Sequence, residues 1–114
     1  MLPKKYRLTR SSDIIRARAE GKSWSNSKIV LCAVPNGQDT SRFGFSVSRK
    51  IGGAVVRNRC KRLLREVVHN HLVEIRAGWD FVIIVRKSFL GTQYYGAEQA
   101  TLALLGIAEM LIVP

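Results

Sequence analysis

The chain has 114 residues, enough for one domain whose core needs no disulfide or metal staple. Hydrophobic residues make up 46% of it, which excludes a disordered basic tail. Nineteen Lys and Arg against eight Asp and Glu give a net charge of +11, a field that draws polyanions and repels cations.

Charge and compactness together favour a nucleic acid over an anionic membrane as the partner. Met1 to Arg10 is basic but lacks the apolar core of a signal peptide. The longest apolar stretch, near Ala103 to Val113, is too short for a bilayer and is interrupted by Glu109. A cytoplasmic, non-membrane protein is expected, as one domain over 1–114. Cys32 and Cys60 have neither CxxC spacing nor nearby His at ligand spacing, so two buried reduced thiols are expected and no metal site.

In chain order, Ser11-Ser12-Asp13 offers side-chain oxygens to cap a helix running to Glu20, and Gly21 ends it. Ile29 to Val34 is a continuous apolar run, a buried strand stopped by Pro35-Asn36-Gly37. Arg42 to Ser48 alternates: Phe43, Phe45 and Val47 share one face, and Arg42, Gly44, Ser46 and Ser48 the other, which is strand periodicity. A hairpin between these two strands is the natural pairing. After Gly52-Gly53 a helix is predicted from about Ala54 to Leu72, with Val56, Cys60, Leu63, Leu64, Val67 and His71 on its apolar side. A third strand spans Trp79 to Arg86. A last helix spans about Thr92 to Leu111, weakened by Gly96 and Gly106. This order reads as α+β, a small, mostly antiparallel sheet packed by helices in a two-layer sandwich.

The chemistry concentrates between Arg42 and Arg65. That stretch contains no acid and holds Arg42, Arg49, Lys50, Arg57, Arg59, Lys61, Arg62 and Arg65. Arg57, Lys61 and Arg65 are spaced by four, so like charges stack along one helix face, which is unfavourable unless an outside anion neutralises them. Arg presents a planar fork to phosphate oxygens and Lys a point charge. Asn58, between Arg57 and Arg59, carries both a donor and an acceptor. It suits a base edge or a ribose 2′-hydroxyl, or else a local backbone bond near the helix start.

The run from Arg42 to Glu66, with Gly44-Phe45-Ser46-Val47-Ser48, Arg49-Lys50, Gly52, Ala54-Val55 and Arg57-Asn58-Arg59-Cys60-Lys61-Arg62, resembles the signature of the bacterial ribonuclease P protein subunit. Weaker likeness extends to Tyr6-Arg7-Leu8, Gly21-Lys22-Ser23 and Gly78-Trp79-Asp80-Phe81-Val82. The resemblance implies a four-stranded, ribosomal-protein-like sheet with a left-handed βαβ crossover. It implies a protein component that is inactive alone, bound about 1:1 to a catalytic RNA that holds the magnesium and removes the 5′ leader of precursor tRNA. It further implies RNA contact through Arg42, Ser46, Ser48, Arg49, Lys50, Arg57, Asn58, Arg59, Lys61, Arg62 and Arg65. Two departures stand out. Family members often carry two Phe on the first helix and an aromatic on the first long strand, lining the leader cleft; those positions here are Ile14, Arg18 and Cys32.

His69 and His71 invite an acid–base reading, but no carboxylate pair or nucleophile accompanies them in sequence, so a surface role for His69 and a packing role for His71 are expected. Trp79 is expected to close the core, while Trp24 suits core packing and stacking on a base equally. Tyr94-Tyr95 should divide between core and surface. A DNA-binding helix-turn-helix is disfavoured because the basic helix follows a strand.

Overall fold

The computed structural model describes residues 2–112. Three α-helices, α1 (Ser11–Glu20), α2 (Ala54–Asn70) and α3 (Tyr94–Ile107), pack on a sheet of β1 (Lys22–Ser25), β2 (Ile29–Pro35), β3 (Arg42–Ser46) and β4 (Trp79–Val85). Single 3-10 turns lie at Lys4–Tyr6, Leu72–Glu74 and Lys87–Phe89.

The strand order is β1-β2-β4-β3. The β1/β2 and β2/β4 pairs are antiparallel and β3/β4 is parallel, so β3, α2 and β4 form a βαβ unit within a mixed sheet. The expected hairpin between the second and third strands does not form. β4, Phe81-Val82-Ile83-Ile84-Val85, is apolar throughout because both of its faces are covered, and it takes the place between β2 and β3. β2 instead makes its hairpin with β1. There the Asn26 side-chain oxygen accepts bonds from the N–H groups of Lys28 and Ile29, both at 3.0 Å, and closes the turn. β1, Lys-Ser-Trp-Ser, has one apolar residue and gives no periodic signal, which is why the sequence concealed it.

The period-two pattern sorts side chains to two faces. Ile29, Leu31, Ala33, Phe43, Phe81, Ile83 and Val85 face α2 and α3 and form the main core, where the Phe43 and Phe81 rings stack at 5.1 Å. Cys32, Val34 and Val82 pack beneath α1 with Leu8 and Ala17. Trp24 and Trp79 are half-buried against the main core. The described residues contain no helix long and apolar enough to cross a membrane.

Helix ends differ from expectation in instructive ways. α1 begins at Ser11 after an extended Arg10 and receives no side-chain cap; Asp13 turns instead toward Arg42. α2 ends at Asn70 and passes into the 3-10 turn. α3 stops at Ile107 because Glu109 takes φ +60°, with Met110 N–H bonding Leu105 O and Glu109 N–H bonding Gly106 O. This is the double bond pattern that glycine usually ends, here made by a glutamate.

Candidate nucleic-acid interface

α2 owes its placement to its buried stripe of Cys60, Leu64, Val67 and Val68, which seats it on the main core. The opposite arc then faces outward. Asn58, Arg59 and Arg62 are exposed, and Arg57, Lys61 and Arg65 are half-buried. The helix follows an extended Gly53, has no side-chain cap and no acid in its first turn, so its first N–H groups and positive dipole end are unopposed. Gly52 is required by close approach: a Cβ there would sit 2.9 Å from the Val56 side chain. Arg49, Lys50 and Ser48 are exposed on the loop before the helix, where the Ser48 hydroxyl accepts the Lys50 N–H.

Among the described residues, no cation of α2 has an acidic partner within ion-pair distance. Lys and Arg pair with acids only as Arg16–Glu20 and as Arg42 with Asp13 and Asp80. Arg57 donates to Gly52 O at 3.3 Å, and Arg65 lies over the Phe45 ring at 5.8 Å. Partial burial, and then the like charge of Arg7, push the Arg65 guanidinium below its ordinary value. Two arginines are thus held near one another with no acid between them.

Lys61 and Arg65 form one wall of a cleft of ≈ 190 Å³, whose other walls come from Arg7, Leu8, Ile14 of α1 and Phe43 and Phe45 of β3. A second, wider hollow of ≈ 520 Å³ runs along the outer face of α2 past Asn58, Arg62, Arg65 and His69. The sequence-named cleft residues gather on the α1 side of the sheet. Ile14 packs with Cys32, and Arg18 lies close enough to oppose the upward push that burial gives the Cys32 thiol. Gly44 lets the chain at Leu8 approach β3, since a Cβ would meet Leu8 O at 3.1 Å. Ser46 is half-buried at the end of β3. Burial raises the Cys60 thiol as well, and both cysteines are free and buried.

Two expectations need correction. Arg42 is not available as its neighbours are. Its fork donates to both oxygens of the wholly buried Asp80, at 2.9 and 2.7 Å, so it is a structural counterion in the sheet. His71 does not pack as an apolar residue. Its Nδ1 meets Glu74 at 2.9 Å and its Nε2 meets Glu98 at 2.7 Å, joining α2 to the following turn and α3. His69 is exposed. Tyr94 is half-buried with its hydroxyl accepting from Asn70, and Tyr95 is exposed. Arg7 is the cleft residue that charge patterning missed. The only signal for it was the weak likeness around Tyr6-Arg7-Leu8.

Among the described residues, no group of three or more His, Cys, Asp and Glu is placed to hold a metal ion. Asp80 is committed to Arg42, and Glu74 and Glu98 to His71.

Comparison with known proteins gives one consistent answer. A family model described as Ribonuclease P matches residues 2–109. The ribonuclease P protein component of Dehalococcoides mccartyi is 41% identical over 105 residues, covering 92% of this chain and 86% of that one. That of Roseiflexus castenholzii is 40% identical over 83% of this chain and 78% of the other. Among solved structures, the Staphylococcus aureus RNase P protein superposes with a TM-score of 0.86 at 30% identity, covering 94% and 98% of the two chains. The Thermotoga maritima RNase P protein gives 0.78 at 35% identity over 85% and 92%. The match over residues 2–109, the identity of about two residues in five to curated relatives and the superposition on solved RNase P proteins show that the chain belongs to the ribonuclease P protein family.

Proposed function

We propose that this chain grips RNA for a ribozyme: it docks on the catalytic RNA of ribonuclease P through α2 and holds the 5′ leader of precursor tRNA against the α1 side of the sheet. Family membership makes it the protein component of an endoribonuclease. The observation that carries the rest is the flank of α2, where Arg57, Lys61 and Arg65 share a face and Arg59 and Arg62 project beside them with no acidic partner. Such an array is costly to the isolated helix and is relieved by phosphates. Arg49, Lys50 and Ser48 extend it along the loop, and exposed Asn58 adds a donor and an acceptor for a base edge or 2′-hydroxyl.

The leader is assigned to the surface around Ile14, Arg18 and Ser46, bordered by Arg7, Lys61 and Arg65; Cys32, buried beneath α1, supports that surface and is not itself open to the leader. With no aromatic at Ile14, Arg18 or Cys32, stacking on rings gives way to guanidinium stacking or phosphate contact by Arg18. Replacing Arg18 with Ala is expected to lower affinity for precursor tRNA and not for mature tRNA; a preference for precursor over mature tRNA that stays at the parent value would remove Arg18 from the leader site.

Magnesium is assigned to the RNA and its substrate, where it would supply Lewis-acid activation of water. Among the described residues the acids are not grouped to hold it, and the part assigned to this chain is to bind and orient. The test is reconstitution. The protein with ribonuclease P RNA should cleave precursor tRNA at the leader junction more efficiently than the RNA alone at low magnesium. Cleavage by the protein without RNA, or no effect of the protein on the RNA, contradicts the proposal.

A further inference from the structure

A small apolar slot lies beside the basic flank and is not used by the contacts above. It has a volume of ≈ 170 Å³ and opens between the start of α2 (Val55, Val56, Arg59, Cys60, Leu63) and the turn after β4 (Phe89 to Thr92). Its rim is exposed hydrocarbon: Val55 is 83% accessible and Leu90 41%. Phe89 and Cys60 are buried at its base. Gly91, with φ +80°, turns the chain away past Leu90, in a backbone region that other residues rarely adopt. The slot is well below the roughly 300 Å³ at which sites for whole small-molecule ligands begin, and it suits a single flat ring system.

Its electrostatic frame narrows the occupant further. Both segments that form it are acid-free over long spans, from Thr40 to Arg65 and from Phe81 to Ala97. They carry Arg57, Arg59, Arg86 and Lys87 near the slot in sequence, and the Arg59 side chain lines it. An exposed apolar rim whose one charged lining residue is Arg59 suits a ligand that is apolar and flat at its tip and anionic along its stem. A nucleobase turned out from a polyribonucleotide has that form, because protein recognition of RNA relies on unstacked bases whose faces meet apolar or guanidinium planes.

We infer that the slot formed by Val55, Val56, Leu63, Phe89 and Leu90 receives one unpaired base of the RNA, with Arg59 holding the adjoining phosphate. This rests on the reading of α2 as the RNA-docking helix and adds to it a contact that is not electrostatic. The contact makes its own demand on the RNA: a nucleotide free of its helix at the point where the start of α2 lands.

The test separates the slot from the flank by salt dependence. Because Val55 and Leu90 are exposed, Val55→Ser and Leu90→Ser should leave the unfolding midpoint nearly unchanged. Each should weaken binding to ribonuclease P RNA by about ten-fold, the scale of losing one base contact. Because no charge is removed, the slope of log affinity against log salt should stay at the parent value. Arg59→Ala should instead flatten that slope. A photo-crosslinking side chain at position 90 should mark an unpaired nucleotide. Parent-like affinity of both serine variants, or crosslinks only to paired nucleotides, overturns the slot and leaves the docking helix standing; that outcome would reassign the rim to a protein partner. A parent chain that binds no ribonuclease P RNA overturns both readings.

Discussion

Arg42 and Arg62 lie twenty residues apart in one acid-free stretch, and the structure gives them opposite situations. Arg42 reaches across to a fully buried carboxylate on the adjacent strand, with both nitrogens of its fork satisfied by Asp80 and a further contact to Asp13. Arg62 stands on the outer arc of α2, exposed and without an acidic partner. A basic residue is therefore not defined by its charge or its place in a motif, but by whether the fold supplies its counterion. Where it does, the residue holds the protein together. Where it does not, the anion must come from outside.

The largest expected effect tests the inward half of this contrast. Arg42→Ala strands the buried Asp80 carboxylate, leaving it the Asn36 amide at 2.9 Å as its side-chain partner. It should lower the free energy of unfolding by about 3 kcal/mol, measured by urea titration, because breaking a buried pair leaves an uncompensated charge. The salt slope of RNA binding by the folded fraction should not change. A stable variant with a flattened slope would move Arg42 back among the RNA contacts.

Next comes the platform on which the cleft is built. Gly21 ends α1 against β2 so tightly that a Cβ would lie 2.4 Å from Ala17 O and 2.7 Å from Ala33 O. Gly21→Ala should cost about 1–3 kcal/mol, since backbone on both sides must move. It should also weaken precursor tRNA more than mature tRNA, because α1 carries Ile14 and Arg18. Equal weakening would detach α1 from leader recognition.

Arg62→Ala probes the outward half. Stability should change by no more than about 0.5 kcal/mol. The salt slope should flatten by about 0.7 of a unit, one single-strand phosphate. An unchanged slope removes Arg62 from the contact set.

The smallest effect is a pH dependence at the α2–α3 junction. Burial pulls the His71 imidazole down, but its bonds to Glu98 and Glu74 outweigh that and leave it above its ordinary value of 6.5. Both ring nitrogens face carboxylates, so the ring donates from both only when protonated. A folded-state value above the unfolded one means that the stabilisation is complete below about pH 6.5 and is lost as pH rises through the folded value. The urea midpoint should therefore fall on going to mildly alkaline pH, and His71→Gln should remove that fall. The same fall in the Gln variant would assign it elsewhere.

The sequence revealed what periodicity and composition encode. The helical stripe of α2 and its basic arc, the apolar runs of β2 and β4, and the alternation of β3 all appear where expected. It concealed features set by distant contacts. β1 has too few apolar residues to show a period, and strand order depends on β4 inserting between β2 and β3, a decision made by long-range packing. The end of α3 was hidden because Glu109 occupies a position where glycine usually gives the signal. Within the site, charge patterning found α2 but could not separate Arg42 from its neighbours. Its counterion, Asp80, is 38 residues away in sequence and directly opposite on the adjacent strand. Arg7 was missed for the converse reason, since only the fold brings it to the cleft that Arg65 lines.

Docking through α2 is tested most directly by the salt dependence of binding to ribonuclease P RNA, for the parent chain and for the Arg57, Lys61 and Arg65 triple alanine variant. With about five single-strand phosphates engaged, the parent log–log slope should be about −3.5, and removing three cations should bring it to about −1.4. A parent slope near zero, or one that the triple variant leaves unchanged, would contradict it.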